Sequence, residues 1–229
     1  MSGLSMERAE LTRCRSNLFR VGDCGKSVAR ISIGDETATG FYCRLDSDGC
    51  LIDCLITNHH VLENPASASA ACVDFMCLTE EDIVCPSRRV ALQPQRLFWT
   101  SPTVREGGLD VTIVAIRSGD VELQPPLIPL QFDPVPVEIP ARFMVTLYGH
   151  PDGEPLTQSS ENVTNIIEEN NQIQYASGTA HGSSGSPVFH NETGLVIGIH
   201  HKRIVKIRSK FKKKSFFQIH IHFVPLIRI

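Results

Sequence analysis

No run of 18 apolar residues occurs anywhere in this 229-residue sequence, so no membrane-spanning helix is expected. The start, MSGLSMERAELTRCRSNLFR, is polar and charged and lacks the apolar stretch of a secretory signal. It reads as the start of an intracellular chain, cytoplasmic or nuclear. The sequons Asn162-Val163-Thr164 and Asn191-Glu192-Thr193 leave secretion as the alternative. Cysteine is absent beyond Cys85: all eight cysteines lie in the first 85 residues, and none forms a C-x-x-C pair of the structural zinc type. Thiols in a reducing compartment are the expectation. No internal repeat and no low-complexity tract is present. Acidic residues are missing from residues 202–214 (KRIVKIRSKFKKK), which carry eight Lys or Arg and leave the remainder of this net −3 chain clearly acidic.

What is present is an ordinary globular composition, 41% hydrophobic and 21% charged. Short apolar runs rich in β-branched and aromatic residues recur, separated by Gly, Pro, Asp or Asn. They are SVARISIG, GFYCRL, CLIDCLITN, RVALQPQRLFWT, DVTIVAI, RFMVTLYG, NQIQYAS, SPVFH, GLVIGIHH and FFQIHIHFV. This pattern predicts an all-β antiparallel architecture. Helix is expected only within residues 4–18 and as a short turn around Val61–Asn64. Pro125, Pro126, Pro129, Pro134, Pro136 and Pro140 interrupt ladder pairing and mark residues 118–140 as an extended connector. The expected layout is an extension over 1–24, one β-barrel over 25–117, and a second over 141–229.

Three segments carry chemistry. In Gly182-Ser183-Ser184-Gly185-Ser186-Pro187, small residues flank a serine in the pattern G-x-S-G-x-P. A nucleophilic serine needs a tight turn that exposes its hydroxyl and aims backbone N–H groups at a developing oxyanion. Ser184 is the candidate nucleophile, with the N–H groups of Gly182 and Ser184 as the oxyanion hole and Ser183 shaping the turn between them. A Gly/Ser surface loop would share the pattern. In Leu55-Ile56-Thr57-Asn58-His59-His60-Val61-Leu62 an apolar strand delivers a histidine, as a fixed general base requires. Two histidines compete, and His60, directly before the Val-Leu pair, is preferred to His59. In Gly108-Leu109-Asp110-Val111-Thr112-Ile113, an acid opens an apolar strand. Asp110 there can accept a hydrogen bond from an imidazole and fix its tautomer, although an Asp at a strand start is more often turn chemistry.

The order His60, Asp110, Ser184, each in the setting its role requires, is what joins three weak signals. Through TNHHVL, LDVTIVAI and GSSGSPVF the sequence resembles the trypsin-like serine peptidase superfamily, from about Val28 to His201. The resemblance implies two six-stranded antiparallel Greek-key barrels with the active site in the cleft between them. It also implies a His60-Asp110-Ser184 triad acting on protein or peptide substrates through an acyl-enzyme, with no cofactor. TNHHV is closer to the intracellular HtrA-like branch than to secreted digestive enzymes, which carry a cysteine where Val61 stands. No zymogen-type cleavage signal precedes Ser27, and the chain stops too early for the peptide-binding module usual in HtrA-like enzymes. Thr179 and the Gly198-Ile199-His200 segment are similar to the primary pocket of picornavirus-type proteases, which implies that Thr179 and His200 receive a Gln or Glu side chain. A general apolar pocket is the bland alternative.

A metal reading of His59/His60, His200/His201 and His220/His222 is set aside, because no acidic or cysteine partner is spaced to complete such a site. The basic run 202–214 reads first as a solvated loop and second as a grip on nucleic acid or another acidic surface. After that run QIHIHFVPLIRI supplies a final strand. A closing helix is not expected, so the end reads as truncated or spliced. The competing functional class is a catalytically silent double-barrel module that binds peptides or, through residues 202–214, nucleic acid. The sequence carries no signal for an oligomeric state.

Overall fold

The structure is a computed structural model that describes residues 24–47, 49–78, 84–122, 127–132, 143–167, 172–175, 180–206 and 214–220. The expected extension over 1–24 and its helix therefore lie almost wholly outside the described residues, as do Thr179 and His222. Among the described residues no helix is long and apolar enough to cross a membrane.

Among the described residues, thirteen strands make two antiparallel sheets. The first contains β1 (Val28–Ile33), β2 (Glu36–Ser47), β3 (Cys50–Thr57), β4 (Cys72–Leu78), β5 (Val84–Val90), β6 (Phe98–Ser101) and β7 (Val111–Ala115), in the order β5-β4-β1-β2-β3-β7-β6. The second contains β8 (Met144–Gly149), β9 (Thr157–Ile167), β10 (Gln172–Tyr175), β11 (Pro187–His190), β12 (Val196–Lys206) and β13 (Lys214–His220), closed in the order β10-β13-β12-β11-β8-β9.

The first sheet departs from the expected six-stranded barrel by having seven strands. The run RVALQPQRLFWT, read as one strand, breaks around Gln93-Pro94, because proline has no N–H for a ladder. Its two ends become β5, paired with β4, and β6, paired with β7. The expected turn around Val61–Asn64 stays non-helical, and a one-and-a-half-turn helix α1 (Pro65–Ala70) follows it instead. Asn64 caps α1 by accepting from the N–H groups of Ala66 and Ser67 at 3.0 and 2.9 Å, while Pro65 supplies a first residue that needs no donor. A second short helix, α2 (Ser118–Val121), opens the stretch read as a connector. Beyond it Leu130 and Phe132 bridge to Cys43 of β2 and Val196 of β12. The basic run is largely strand at its ends rather than loop, since β12 runs through Lys206 and β13 starts at Lys214; residues 207–213 lie outside the described residues.

Strand β7 shows why the sheets hold their site rigidly. It is hydrogen-bonded on both edges, to β3 and β6, and all five of its residues are buried. One core cluster sits inside the first sheet (Tyr42, Leu55, Phe75, Val114) and another inside the second (Val145, Ile173, Tyr175, Val188). A third joins the sheets: Phe41, Ile56 and Val111 pack with Tyr148, Phe189 and Ile199. Removing that much apolar surface from water fixes the two sheets face to face. Among the described cysteines, Cys43, Cys50, Cys54 and Cys72 carry free thiols.

Candidate active site

The three motif segments converge at one edge of the seam. His60 leaves β3 through a turn in which the Val61 N–H bonds the Asn58 carbonyl. Asp110 stands immediately before β7, and Ser184 lies in the loop that enters β11. His60 and Ser184 line one cleft of about 1250 Å³, together with His200 and His201 of β12. Asp110 is fully buried beneath it.

The carboxylate is held from several sides. Its Oδ2 accepts from His60 Nδ1 at 2.8 Å and its Oδ1 from the His60 backbone N–H at 3.0 Å. The Asp110 N–H donates to the Pro102 carbonyl at 2.7 Å, and the Asp110 carbonyl accepts from Asn58 Nδ2 at 2.9 Å. With φ at 53°, Asp110 occupies the left-handed region, which costs energy for any side chain although Asp tolerates it better than most. These four bonds pin that conformation. Burial alone would raise the Asp110 carboxyl, but hydrogen bonds from His201 and His60, and their charge, outweigh it and hold the group far below the usual carboxylate range. Of the two adjacent histidines, His60 meets Asp110. His59 turns the other way, its Nδ1 2.8 Å from Thr100 Oγ1.

The serine loop depends on two glycines with left-handed backbone, Gly182 at φ 83° and Gly185 at φ 89°. A Cβ on Gly185 would stand 1.9 Å from the Thr39 carbonyl oxygen, and one on Gly182 would stand 2.4 Å from the His150 carbonyl oxygen. No other residue fits at either place. Thr39 of β2 stitches this loop to the first sheet. Its N–H donates to the Ser184 carbonyl at 2.8 Å and its hydroxyl to the Gly182 carbonyl at 2.7 Å, while that hydroxyl accepts from the His150 N–H at 3.0 Å. On the other side the Gly185 N–H donates to the His200 carbonyl at 2.9 Å. Ser183, between Gly182 and Ser184, is buried, and Ser184 itself is partly exposed to the cleft.

Two features were not read from the sequence. The first is His201, whose Nδ1 also meets Asp110 Oδ2. Side chains alternate along a strand, so His200 and His201 should face opposite ways. Pairing of β12 with β13 slips between His200 and Lys202, and this bulge at His201 turns it toward the same cleft. The acidic partner that the metal reading lacked is thus Asp110: His60, Asp110 and His201 offer ligand atoms that all lie within 4.8 Å of one another. The second is Tyr175 of β10, whose hydroxyl lies 2.6 Å from His200 Nδ1. Burial first, then the neighbouring charges of His201 and His60, push His200 down to about 3, so its ring is neutral at neutral pH. Burial pushes the Tyr175 hydroxyl well above its ordinary value, so it keeps its proton.

A family model described as the trypsin-like peptidase domain matches residues 38–199, most of the chain and every residue of the site except His200 and His201. The chain belongs to the trypsin-like peptidase domain family. An uncharacterized protein, y4fB, of Sinorhizobium fredii is 30% identical over 158 residues, 64% of this trypsin-like domain chain, which spans 23% of that protein's length. A human pathogenic astrovirus serine protease superposes with a TM-score of 0.53 at 16% identity, covering 89% of this chain and 93% of its own. An inactive form of Rv3671c from M. tuberculosis gives 0.52 at 16% identity, covering 86% and 83%. Deg5 gives 0.51 at 16% identity, covering 88% and 87%. At these identities the likeness is one of trypsin-like fold.

Proposed function

We propose that this chain is a serine endopeptidase in which Ser184 is the nucleophile, His60 the general base and Asp110 its orienting partner. The observation that carries the reading is the 2.8 Å bond from His60 Nδ1 to a buried, ionised Asp110, with His60 lining the same cleft as Ser184. A carboxylate on Nδ1 holds the proton there and leaves Nε2 with its lone pair toward the cleft. Ser184 Oγ then attacks a peptide carbonyl carbon as its proton passes to His60 Nε2, and Asp110 stabilises the imidazolium. The N–H groups of Gly182 and Ser184 receive the oxyanion, with the left-handed Gly182 setting their direction and Ser183 between them. Collapse of the tetrahedral intermediate breaks the C–N bond, the leaving amine takes the proton from His60, and water repeats the sequence to release the acyl group.

His200, with Thr179, forms the primary pocket in this reading. A Tyr175 hydroxyl that donates to Nδ1 leaves His200 Nε2–H as a neutral donor in the cleft wall. A neutral donor suits the amide oxygen of Gln better than the carboxylate of Glu, whose desolvation it does not offset. In layout, residues 25–117 and 141–229 are the two halves and 118–140 joins them.

A fluorophosphonate probe tests the chemistry. Covalent labelling of the folded wild type, abolished by Ser184→Ala, is the expected result. A folded wild type that stays unlabelled, and that instead binds single-stranded nucleic acid in a salt-sensitive manner through residues 202–214, would overturn the enzyme reading in favour of a binding module.

A further inference from the structure

We propose that His60, Asp110 and His201 form a site for a divalent cation of the Zn²⁺ type, and that filling it switches the cleft off. The switching-off rests on the peptidase reading above; the binding does not. Two imidazole nitrogens, His60 Nδ1 and His201 Nδ1, converge on one oxygen, Asp110 Oδ2, and the two rings meet at 65° with centroids 5.9 Å apart. Stacked rings would keep their nitrogens from a common point; an edge-on pair does not.

The donor set selects the ion. Two imidazoles and one carboxylate are three of the ligands of a tetrahedral Zn²⁺ site, whose fourth is supplied by water or substrate. Mg²⁺ and Ca²⁺ require six or more oxygens, which this corner does not offer. Zinc at about 2.0–2.1 Å from each ligand sets neighbouring donor atoms about 3.3 Å apart. The three atoms already lie within 4.8 Å of one another. The other oxygen of Asp110 and its main chain are anchored by the His60 N–H and by Asn58, so the carboxylate is aimed before any ion arrives. His60, whose side chain is 37% exposed, and His201 both line the cleft, the side from which an ion would approach.

The consequence for the base is one of bookkeeping on a single ring. With Asp110 on Nδ1, neutral His60 keeps its hydrogen there and its lone pair on Nε2. A cation on Nδ1 needs that lone pair, so the hydrogen moves to Nε2 with no net gain or loss of protons. His60 then has nothing with which to accept the Ser184 proton.

The test uses the full chain. The Ser184→Ala protein, unable to form an acyl-enzyme, is titrated with ZnCl₂ and with MgCl₂ by calorimetry, and so are His201→Gln and His181→Gln made in the same background. Gln keeps an N–H for Asp110, whereas the exposed His181 lines the cleft away from the cluster. The expected result is zinc binding at one site, none for Mg²⁺, a 10–100-fold loss of zinc affinity in His201→Gln and little change in His181→Gln. Zinc also slows fluorophosphonate labelling of the wild type, and EDTA restores it. Zinc affinity that is equal with and without His201, or absent throughout, refutes the site even if the wild type labels. Zinc binding that is lost with His201 in a protein that never labels keeps the site and refutes the peptidase.

Discussion

Replacing Thr39 with Val isolates the stitch between the first sheet and the serine loop. The two side chains have nearly the same shape, so packing changes little, but the Thr39 hydroxyl donates to the Gly182 carbonyl at 2.7 Å and accepts from the His150 N–H at 3.0 Å. Thr39 is fully buried, as are Gly182 and His150, so water does not replace the lost partner. Two buried backbone groups left unsatisfied cost about 1–3 kcal/mol each, and some relaxation brings the sum to roughly 2–4 kcal/mol. For a chain of this size that corresponds to a fall in Tm of about 6–12 °C. The loss also loosens the turn on which Ser184 sits, so the labelling rate at Ser184 falls together with stability. Differential scanning calorimetry reads the first effect and probe kinetics the second. The control is Thr157→Val, whose exposed hydroxyl bonds only the Pro155 carbonyl and whose loss costs no more than about 0.5 kcal/mol. Equal Tm values for the two variants would refute the role given to Thr39.

Three further outcomes follow from the same geometry. Gly185→Ala places a methyl 1.9 Å from the Thr39 oxygen and 2.4 Å from Thr57 Oγ1 at a φ of 89°, and costs at least about 3 kcal/mol by urea unfolding, whereas Gly119→Ala, with open space around it, costs nothing. Asp110→Asn lowers turnover by about 10,000-fold with little change in KM, measured on a Gln-containing peptide. Its stability deficit against wild type is also fully present above about pH 4 and shrinks as acid protonates Asp110, because a carboxyl held below its unfolded value contributes stability only while ionised. His200, depressed to about 3 by burial, must stay neutral to remain folded, so its contribution is complete above the ordinary histidine value near 6.5 and is lost as pH falls toward 3. Between pH 7.5 and 5.5 the wild type should lose about 1 kcal/mol more than His200→Gln; parallel pH curves would contradict this.

Much of the candidate site was legible because its demands are local. A strand end, an acid opening an apolar strand and small residues around a serine are written in a few consecutive positions, and the His60-before-Val-Leu choice separated it from His59. What escaped depends on distance or on mixed polarity. β9 reads TQSSENVTNII, with nearly every residue exposed or half-exposed, so no alternation marks it and only backbone pairing with β8 and β10 makes it a strand. β4 hides a buried Asp74 in an apolar run, matched by a two-bonded ion pair with Arg89 that the chain supplies fifteen residues later. Thr39 sits in an unremarkable ETATG and meets Gly182 across 143 residues. His201 is aimed by a bulge, and a bulge is a property of two strands together rather than of either sequence.

The core shared by the two sheets sets a limit on dividing the molecule. Phe41, Ile56 and Val111 on one side and Tyr148, Phe189 and Ile199 on the other pack into one buried cluster. Either half made alone would present that apolar face to water and aggregate or stay unstructured. Co-produced fragments cut within 118–140 would therefore have to fold upon each other, and any activity of the cleft would reappear only at the rate at which the two pieces find one another.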